Sequence, residues 1–222
     1  MKAKTSTPLL AKFLSERLFV TCLCIILMCS AFGRSFGGDV TALTFTDIKD
    51  FEGFYQFPNR VGYVQIVQKD QGLVAKQVWD NKEYPLIRKA DLSFESKNEE
   101  YKAEFIKDET GKITSINILN RVILTKVNFD PNKEVTLSPD KLKRLEGKYQ
   151  FQRDKNLFLE ISTKDKAIEL KQLWDGKVIH FAALSELDFF NKELSFPLTF
   201  ILTGDVVKQA RAFTTDLWDK VE

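Results

Sequence analysis

The stretch DFEGFYQF at residues 50–57 decides the fold, because it returns as RLEGKYQF at residues 144–151. A second block, KQVWDNK at residues 76–82, returns as KQLWDGK at residues 171–177. The two offsets differ by a single residue. Two matched blocks at nearly one separation indicate an internal duplication, so the sequence predicts two tandem copies of one small domain.

Weaker similarity between the copies sets the domain boundaries. We expect a first domain at residues 46–127 and a second at residues 138–222. The linker between them, residues 128–137, contains Asp130-Pro131-Asn132, a turn-forming sequence. The residue before a proline is biased away from helix, which favours a break at this point.

Each copy has the pattern of a small all-β domain. The 19 phenylalanines lie in short alternating runs, which are typical of strands. We expect about eight strands per copy, separated by turn sequences such as Asp175-Gly176. A short helix precedes each set of strands; in the second copy, Ser138-Pro139 is a typical helix start. The predicted fold is therefore all-β, with two tandem small antiparallel barrels or half-barrels.

Residues 1–33 have the three-part layout of an export signal. A basic region precedes the apolar run LFVTCLCIILM at residues 18–28, and small residues follow at Ala31 and Gly33. The run falls short of the roughly 20 residues that cross a bilayer. We expect cleavage after Ala31 or Gly33, no transmembrane segment after cleavage, and a secreted or periplasmic protein. An uncleaved signal anchor is the alternative.

All three cysteines, Cys22, Cys24 and Cys29, lie inside this leader. The mature chain would then contain no disulfide, which suits a bacterial envelope protein. A lipid anchor at Cys29 is a minor alternative, because bulky Met28 stands where a lipidation motif has a small residue.

Charge argues against nucleic acid as a partner. The chain has a formal net charge of +2, and acidic and basic residues alternate along it. A protein that binds phosphate backbones presents a clustered basic surface. We therefore expect no nucleic-acid partner.

The sequence offers no catalytic constellation. Ser138 and Lys141 fit a Ser-x-x-Lys pattern, but the Ser-Asp-Asn and Lys-Thr-Gly companions of that chemistry are missing, and a helix cap explains the same residues. His180 is the single histidine. Without cysteine in the mature chain, a transition-metal site would be nearly all carboxylate, and no such cluster occurs. We expect no catalytic residue, no metal and no cofactor.

The repeated Lys-Gln-x-Trp-Asp block provides a candidate ligand site. Strand alternation places Gln77 and Trp79 on one face, and Gln172 and Trp174 on the matching face of the second copy. One interpretation is structural: the glutamines satisfy backbone groups and the tryptophans plug the barrel mouths. The other is a cleft for a small amphipathic ligand. Its lining residues would be Gln77, Trp79, Gln172 and Trp174, with Tyr55, Tyr149, Phe57 and Phe151.

A family resemblance rests on the second copy in particular. A short helix leads into Leu-Glu-Gly-Lys-Tyr at residues 145–149, followed by a strand centred on Phe189 and a Gly-x-Val turn at residues 204–206. Both copies resemble the small lipocalin-like domain of unknown function that often follows the catalytic domain of β-lactamase-like serine hydrolases. The resemblance implies a non-catalytic accessory or binding domain, and no catalytic residue is carried over.

We therefore expect an exported, non-catalytic binding or accessory protein of the bacterial cell envelope. Its partner would be a small hydrophobic ligand or an envelope protein. Two alternatives remain open: a hydrolase-related enzyme that uses Ser138, and a structural or assembly subunit that pairs through edge strands.

Overall fold

A computed structural model of the chain describes residues 46–70, 72–98 and 100–221. The predicted export signal at residues 1–33 lies outside the described residues, as does Cys29. Between them, the described segments form two closed barrels of eight antiparallel strands each. The predicted fold class is confirmed, and the barrels are closed rather than half-barrels.

Barrel 1 follows a short 3-10 helix, Ile48–Phe51. Each strand pairs with its sequence neighbours, and β8 closes the barrel on β1. The strands are β1 (Gly53–Gln56), β2 (Tyr63–Lys69), β3 (Gly72–Gln77), β4 (Glu83–Arg88), β5 (Ser93–Ser96), β6 (Lys102–Lys107), β7 (Ile113–Ile118) and β8 (Val122–Val127).

Barrel 2 follows a short α-helix, Pro139–Lys143, and β16 closes it on β9. The same up-and-down order is repeated. The strands are β9 (Gly147–Phe151), β10 (Phe158–Lys164), β11 (Ala167–Gln172), β12 (Val178–Ala183), β13 (Asp188–Asn191), β14 (Phe196–Thr203), β15 (Val206–Ala212) and β16 (Asp216–Lys220).

Alternation along each strand separates core from surface. In β6, Ala103 and Phe105 are buried while Lys102 and Glu104 are exposed, as expected of a strand with one face on a core. The barrel interiors hold two separate apolar clusters, one per barrel. No helix in the described part of the chain is long and apolar enough to cross a bilayer.

A buried tyrosine joins each short helix to the barrel end that the helix covers, which we call the closed end. The Tyr55 hydroxyl donates to the Phe51 carbonyl at 2.7 Å, and the Tyr149 hydroxyl donates to the Leu145 carbonyl at 2.6 Å. Both tyrosines are fully buried, so each phenol needs a hydrogen-bond partner. The carbonyl at the helix end supplies it, and the helix thereby covers one end of the barrel.

The start of the second helix matches the capping interpretation of Ser138. The Ser138 side chain accepts a hydrogen bond from the Lys141 amide, with Pro139 in the first turn. The Lys141 ammonium instead pairs with the Glu186 carboxylate. The hydroxyl and the ammonium of the Ser-x-x-Lys match are therefore each engaged with a different structural partner.

Candidate functional site

Barrel 1 contains an apolar cavity of about 230 Å³. The cavity lies at the end of the barrel away from the 3-10 helix, because the residues at its rim follow β1, end β3 and begin β4. The wall consists of aliphatic side chains from five of the strands. They are Val64, Ile66, Ala75, Leu86, Ala103 and Ile116.

The rim of the cavity is more polar and more aromatic than its wall. Tyr84 and Tyr101 meet edge to face with ring centres 5.1 Å apart, and Gln77 and Phe57 complete the rim. The Lys82 ammonium lies 5.1 Å from the centre of the Tyr84 ring. Its interaction with the Tyr84 hydroxyl raises the pKa of Lys82 above its ordinary value. A lysine is charged at neutral pH in any case, so a positive charge lies beside the rim.

Two small side chains leave this space open. Ala75 lies between Ile66 and Tyr84 in the strand register, and Ala103 lies between Phe94 and Ile118. Interiors of small barrels are normally filled by their own side chains. A methyl group at two inward-facing positions on separate strands therefore leaves unfilled volume.

Barrel 2 fills the corresponding positions. Its strand register pairs Ile161 with Leu170, as Ile66 pairs with Ala75, so Leu170 corresponds to Ala75. By the same argument, Leu198 corresponds to Ala103. Both leucines are fully buried. Barrel 2 therefore holds larger side chains than barrel 1 at these two inward-facing positions.

The mouths of the barrels differ in the same way. In barrel 2, Trp218 stacks on Phe151 at 4.6 Å between ring centres, and Trp174 stacks on Trp218 at 6.1 Å. Trp218 is only 7% exposed. In barrel 1, Leu124 stands at the position of Trp218. Three stacked rings cover the mouth of barrel 2, and barrel 1 lacks the middle one.

The glutamines predicted as site residues hold turns in both barrels. With its amide oriented by its partners, the Gln77 nitrogen donates to both carboxylate oxygens of Asp80 at 3.1 Å. The Gln172 nitrogen donates to Asp175 at 3.1 and 3.2 Å. Each aspartate also accepts the amide of the second residue after it at 3.0 Å. Gln77 lies at the cavity rim as well, where its stem forms part of the lining.

The predicted tryptophans lie at the barrel rims. Trp79 is 55% exposed and meets Phe57 edge to face at 5.8 Å, while Trp174 is 46% exposed over the filled barrel 2. Tyr55 and Tyr149 lie in the cores near the closed ends, where burial raises the pKa of each phenol. The structure therefore brings Gln77 and Phe57 together at a cavity and places the two tyrosines away from it.

The wall residues and the tyrosine pair at the rim were not predicted from sequence. Val64, Ala103, Tyr84 and Tyr101 belong to this group. The sequence contained one sign of the wall, because Ala75 aligns with Leu170 when the two copies are compared. A small residue that replaces a large one at an inward-facing position marks space in one barrel.

Two other features carry less site character. A depression of about 730 Å³ lies between the linker and residues 184–188, but its charged groups include the Lys133–Asp130 pair, which is satisfied internally at 3.5 Å. His180 lies on the outside of barrel 2, with its Nδ1 3.2 Å from the Glu169 carboxylate. Within the described residues, no group of three or more His, Cys, Asp or Glu side chains could hold a metal ion.

Fold and site together define a tandem of closed eight-stranded antiparallel barrels, of which barrel 1 has an apolar cavity with a polar rim. No family model matches the chain, and no curated protein matches it either.

Proposed function

We propose that the protein is an exported, non-catalytic binding protein of the bacterial cell envelope, in which barrel 1 binds one small, mainly apolar molecule. The observation that carries the proposal is the contrast between Ala75 and Ala103, which leave a cavity in barrel 1, and the leucines at the same positions in barrel 2. The layout of residues 1–33 supports export, and the resemblance to lipocalin-like accessory domains supports a binding role.

The size of the cavity indicates the class of ligand. An apolar cavity of about 150 Å³ takes benzene, whereas sites for drug-sized molecules begin near about 300 Å³. The barrel 1 cavity, at about 230 Å³, lies between these limits. A single aromatic ring or a short alkyl chain fits it, with any polar group directed to the rim that Gln77, Tyr84 and Tyr101 form.

The closed barrels weaken the case for an assembly subunit. Every strand of the two described barrels pairs on both sides, and free sheet edges are what strand-to-strand assembly requires. The cavity, by contrast, is not needed for the fold, because barrel 2 has the same strand order with leucines at the positions of Ala75 and Ala103. Binding of a small molecule is the function that this difference supports.

The test is a titration of the mature full chain with fluorobenzene, followed by 19F NMR. The expected result is saturable binding that indole or hexanoate displaces. Ala75→Leu should abolish it, because the leucine occupies the cavity as Leu170 does in barrel 2. The matched control is Ala182→Leu, the same change at an outward-facing position of β12, which should bind like the unmodified chain. Absence of binding by all three compounds, or binding unaffected by Ala75→Leu, would contradict the proposal.

A further inference from the structure

The loop between β1 and β2, residues 57–62, joins the cavity mouth of barrel 1 to barrel 2. Arg60 in this loop is 7% exposed, and its side chain reaches the outer wall of barrel 2. Its Nη1 donates to the Arg211 carbonyl at 3.2 Å and to the Phe213 carbonyl at 3.0 Å. Its Nη2 donates to the Thr199 hydroxyl. One side chain thus binds three groups of the other barrel.

The receiving surface on barrel 2 is itself ordered by hydrogen bonds. Asp188, Thr199 and Arg211 lie side by side across β13, β14 and β15. The Thr199 hydroxyl donates to Asp188 at 2.6 Å, and the Asp188 carboxylate lies 3.8 Å from Nη2 of Arg60. Burial, and to a lesser extent Arg211, lowers the pKa of Arg60, while Asp188 opposes this. The carboxylate therefore offsets part of the cost of burying the cation.

Contacts with barrel 2 add to hydrogen bonds within barrel 1, such as that from Gln56 Nε2 to the Arg60 carbonyl at 3.2 Å, in holding this loop in a constrained conformation. Arg60 has a φ of 63°, a left-handed conformation that is costly for a residue with a Cβ. Its amide donates to the Phe57 carbonyl at 2.8 Å. The Thr214 hydroxyl of barrel 2 donates to the Pro58 carbonyl at 3.1 Å. Barrel 2 therefore binds the loop at two points, one on the side chain of Arg60 and one on the backbone.

The loop in turn positions one wall of the cavity mouth. The Phe57 amide donates to the Gly62 carbonyl at 2.9 Å, and the Phe57 ring lines the cavity. Gly62 lies so close that a Cβ there would stand 3.2 Å from the ring. A change in the loop would therefore move Phe57.

We infer that barrel 2 is a brace for the ligand site, and that Arg60 is a positioning residue that holds Phe57 in the cavity wall through its contacts with barrel 2. The inference rests on the proposed function of barrel 1. It also assigns a role to barrel 2, whose outer wall binds the Arg60 side chain.

The first test measures fluorobenzene binding to the full chain by 19F NMR. Arg60→Ala should weaken binding about tenfold, because the mouth would hold its binding-competent form a smaller fraction of the time. The affinity of Arg60→Lys should lie between those of the unmodified chain and Arg60→Ala, since a lysine keeps the charge but lacks the fork of donors. The matched control is Arg153→Ala, which removes an arginine of the corresponding barrel 2 loop that pairs with Asp216 inside barrel 2; it should bind normally.

A second readout does not depend on any ligand. Amide hydrogen exchange at Phe57 and at position 60 should be faster in Arg60→Ala, while exchange in the core strand β7 is unchanged. If thermal unfolding shows that Arg60→Ala does not fold, Arg60→Lys and Thr214→Val replace it in both measurements. If the variants fold and both their affinity for fluorobenzene and their amide exchange are unchanged, the positioning role of Arg60 and barrel 2 is refuted. An unmodified chain that binds none of the probes would refute the proposed function instead, and exchange alone would then decide whether barrel 2 orders the loop.

Discussion

Barrels 1 and 2 share strand order, register and closed ends, yet their interiors are packed differently. Both attach a helix through a buried tyrosine, and both close the third hairpin with a glutamine that binds an aspartate. Barrel 1 contains an apolar cavity of about 230 Å³, and barrel 2 has leucines at the positions of Ala75 and Ala103. Both copies therefore have the same strand framework, and the side chains at a few inward-facing positions decide how fully each barrel interior is filled.

Barrel 2 differs from barrel 1 both in the size of its inward-facing side chains and in the positions at which the large ones stand. Trp218 takes the place of Leu124, while Ala210 takes the place of Ile116 on the adjacent strand. The large indole thus gains room from a small neighbour, as close packing requires. Leu198, at the position of Ala103, likewise pairs with Ala212, which stands at the position of Ile118. Leu170 pairs with Ile179 where Ala75 pairs with Tyr84, so the larger side chains at the two leucine positions are accompanied by smaller ones beside them.

The largest effect is expected from opening barrel 2. Leu170→Ala removes a fully buried side chain and should lower the free energy of unfolding by about 2–5 kcal/mol, since a large-to-small core change loses contacts and leaves a void. Urea denaturation measures this. A loss well under 1 kcal/mol would show that the barrel 2 interior is not packed as described. The reverse change, Ala75→Leu, serves as its control and should leave stability within about 1.5 kcal/mol of the unmodified chain.

Equal, intermediate effects are expected from the two closed ends. Tyr55→Phe and Tyr149→Phe each remove one buried hydrogen bond to a helix carbonyl, which should cost about 1–2 kcal/mol. Because the two ends are built alike, the two losses measured by urea denaturation should agree closely. A loss confined to one barrel would show that the closed ends are not equivalent.

A smaller effect, absent at neutral pH, is expected in alkali. Burial raises the pKa of Tyr63 to about 12, while a hydrogen bond from Gln56 lowers it in part. The unfolded phenol loses its proton near pH 10, so above that pH the folded state holds more protons than the unfolded state. Stability should therefore be complete below about pH 10 and fall as pH rises towards the folded-state pKa.

Tyr63→Phe provides the control for this pH dependence. The variant should show a shallower decline of unfolding free energy between about pH 10 and 12, because the pKa values of Tyr55 and Tyr149 are also raised and these residues still contribute. An identical decline in the variant and the unmodified chain would exclude Tyr63 as a contributor.

The sequence was sufficient to predict the frame because repeated residues mark it. The RLEGKYQF block contains Tyr149, which binds the helix, and the Lys-Gln-x-Trp-Asp block forms the turn in which Gln172 binds Asp175. These interactions are local, within a few residues along the chain, so local pattern reveals them. Closure of the barrels was left open by the sequence, which predicted barrels or half-barrels, and the structure closes both.

The cavity was not predictable in the same way. It depends on which side chains meet across strands, and on the difference between the volume that the barrel encloses and the volume that its residues fill. Repeated residues mark positions that the copies share, whereas the site lies where they differ, as at Ala75 and Leu170. Tyr55 and Tyr149 were expected in the site because they are repeated, but a buried phenol beside a helix end is held there by the carbonyl that it binds.

The most direct test of the account is where an apolar probe binds in crystals of the chain. Under xenon pressure, the account predicts a xenon atom inside barrel 1 between Ala75 and Ala103, and none at the corresponding site between Leu170 and Leu198 in barrel 2. Xenon inside barrel 2, or an empty barrel 1 at saturating pressure, would contradict it.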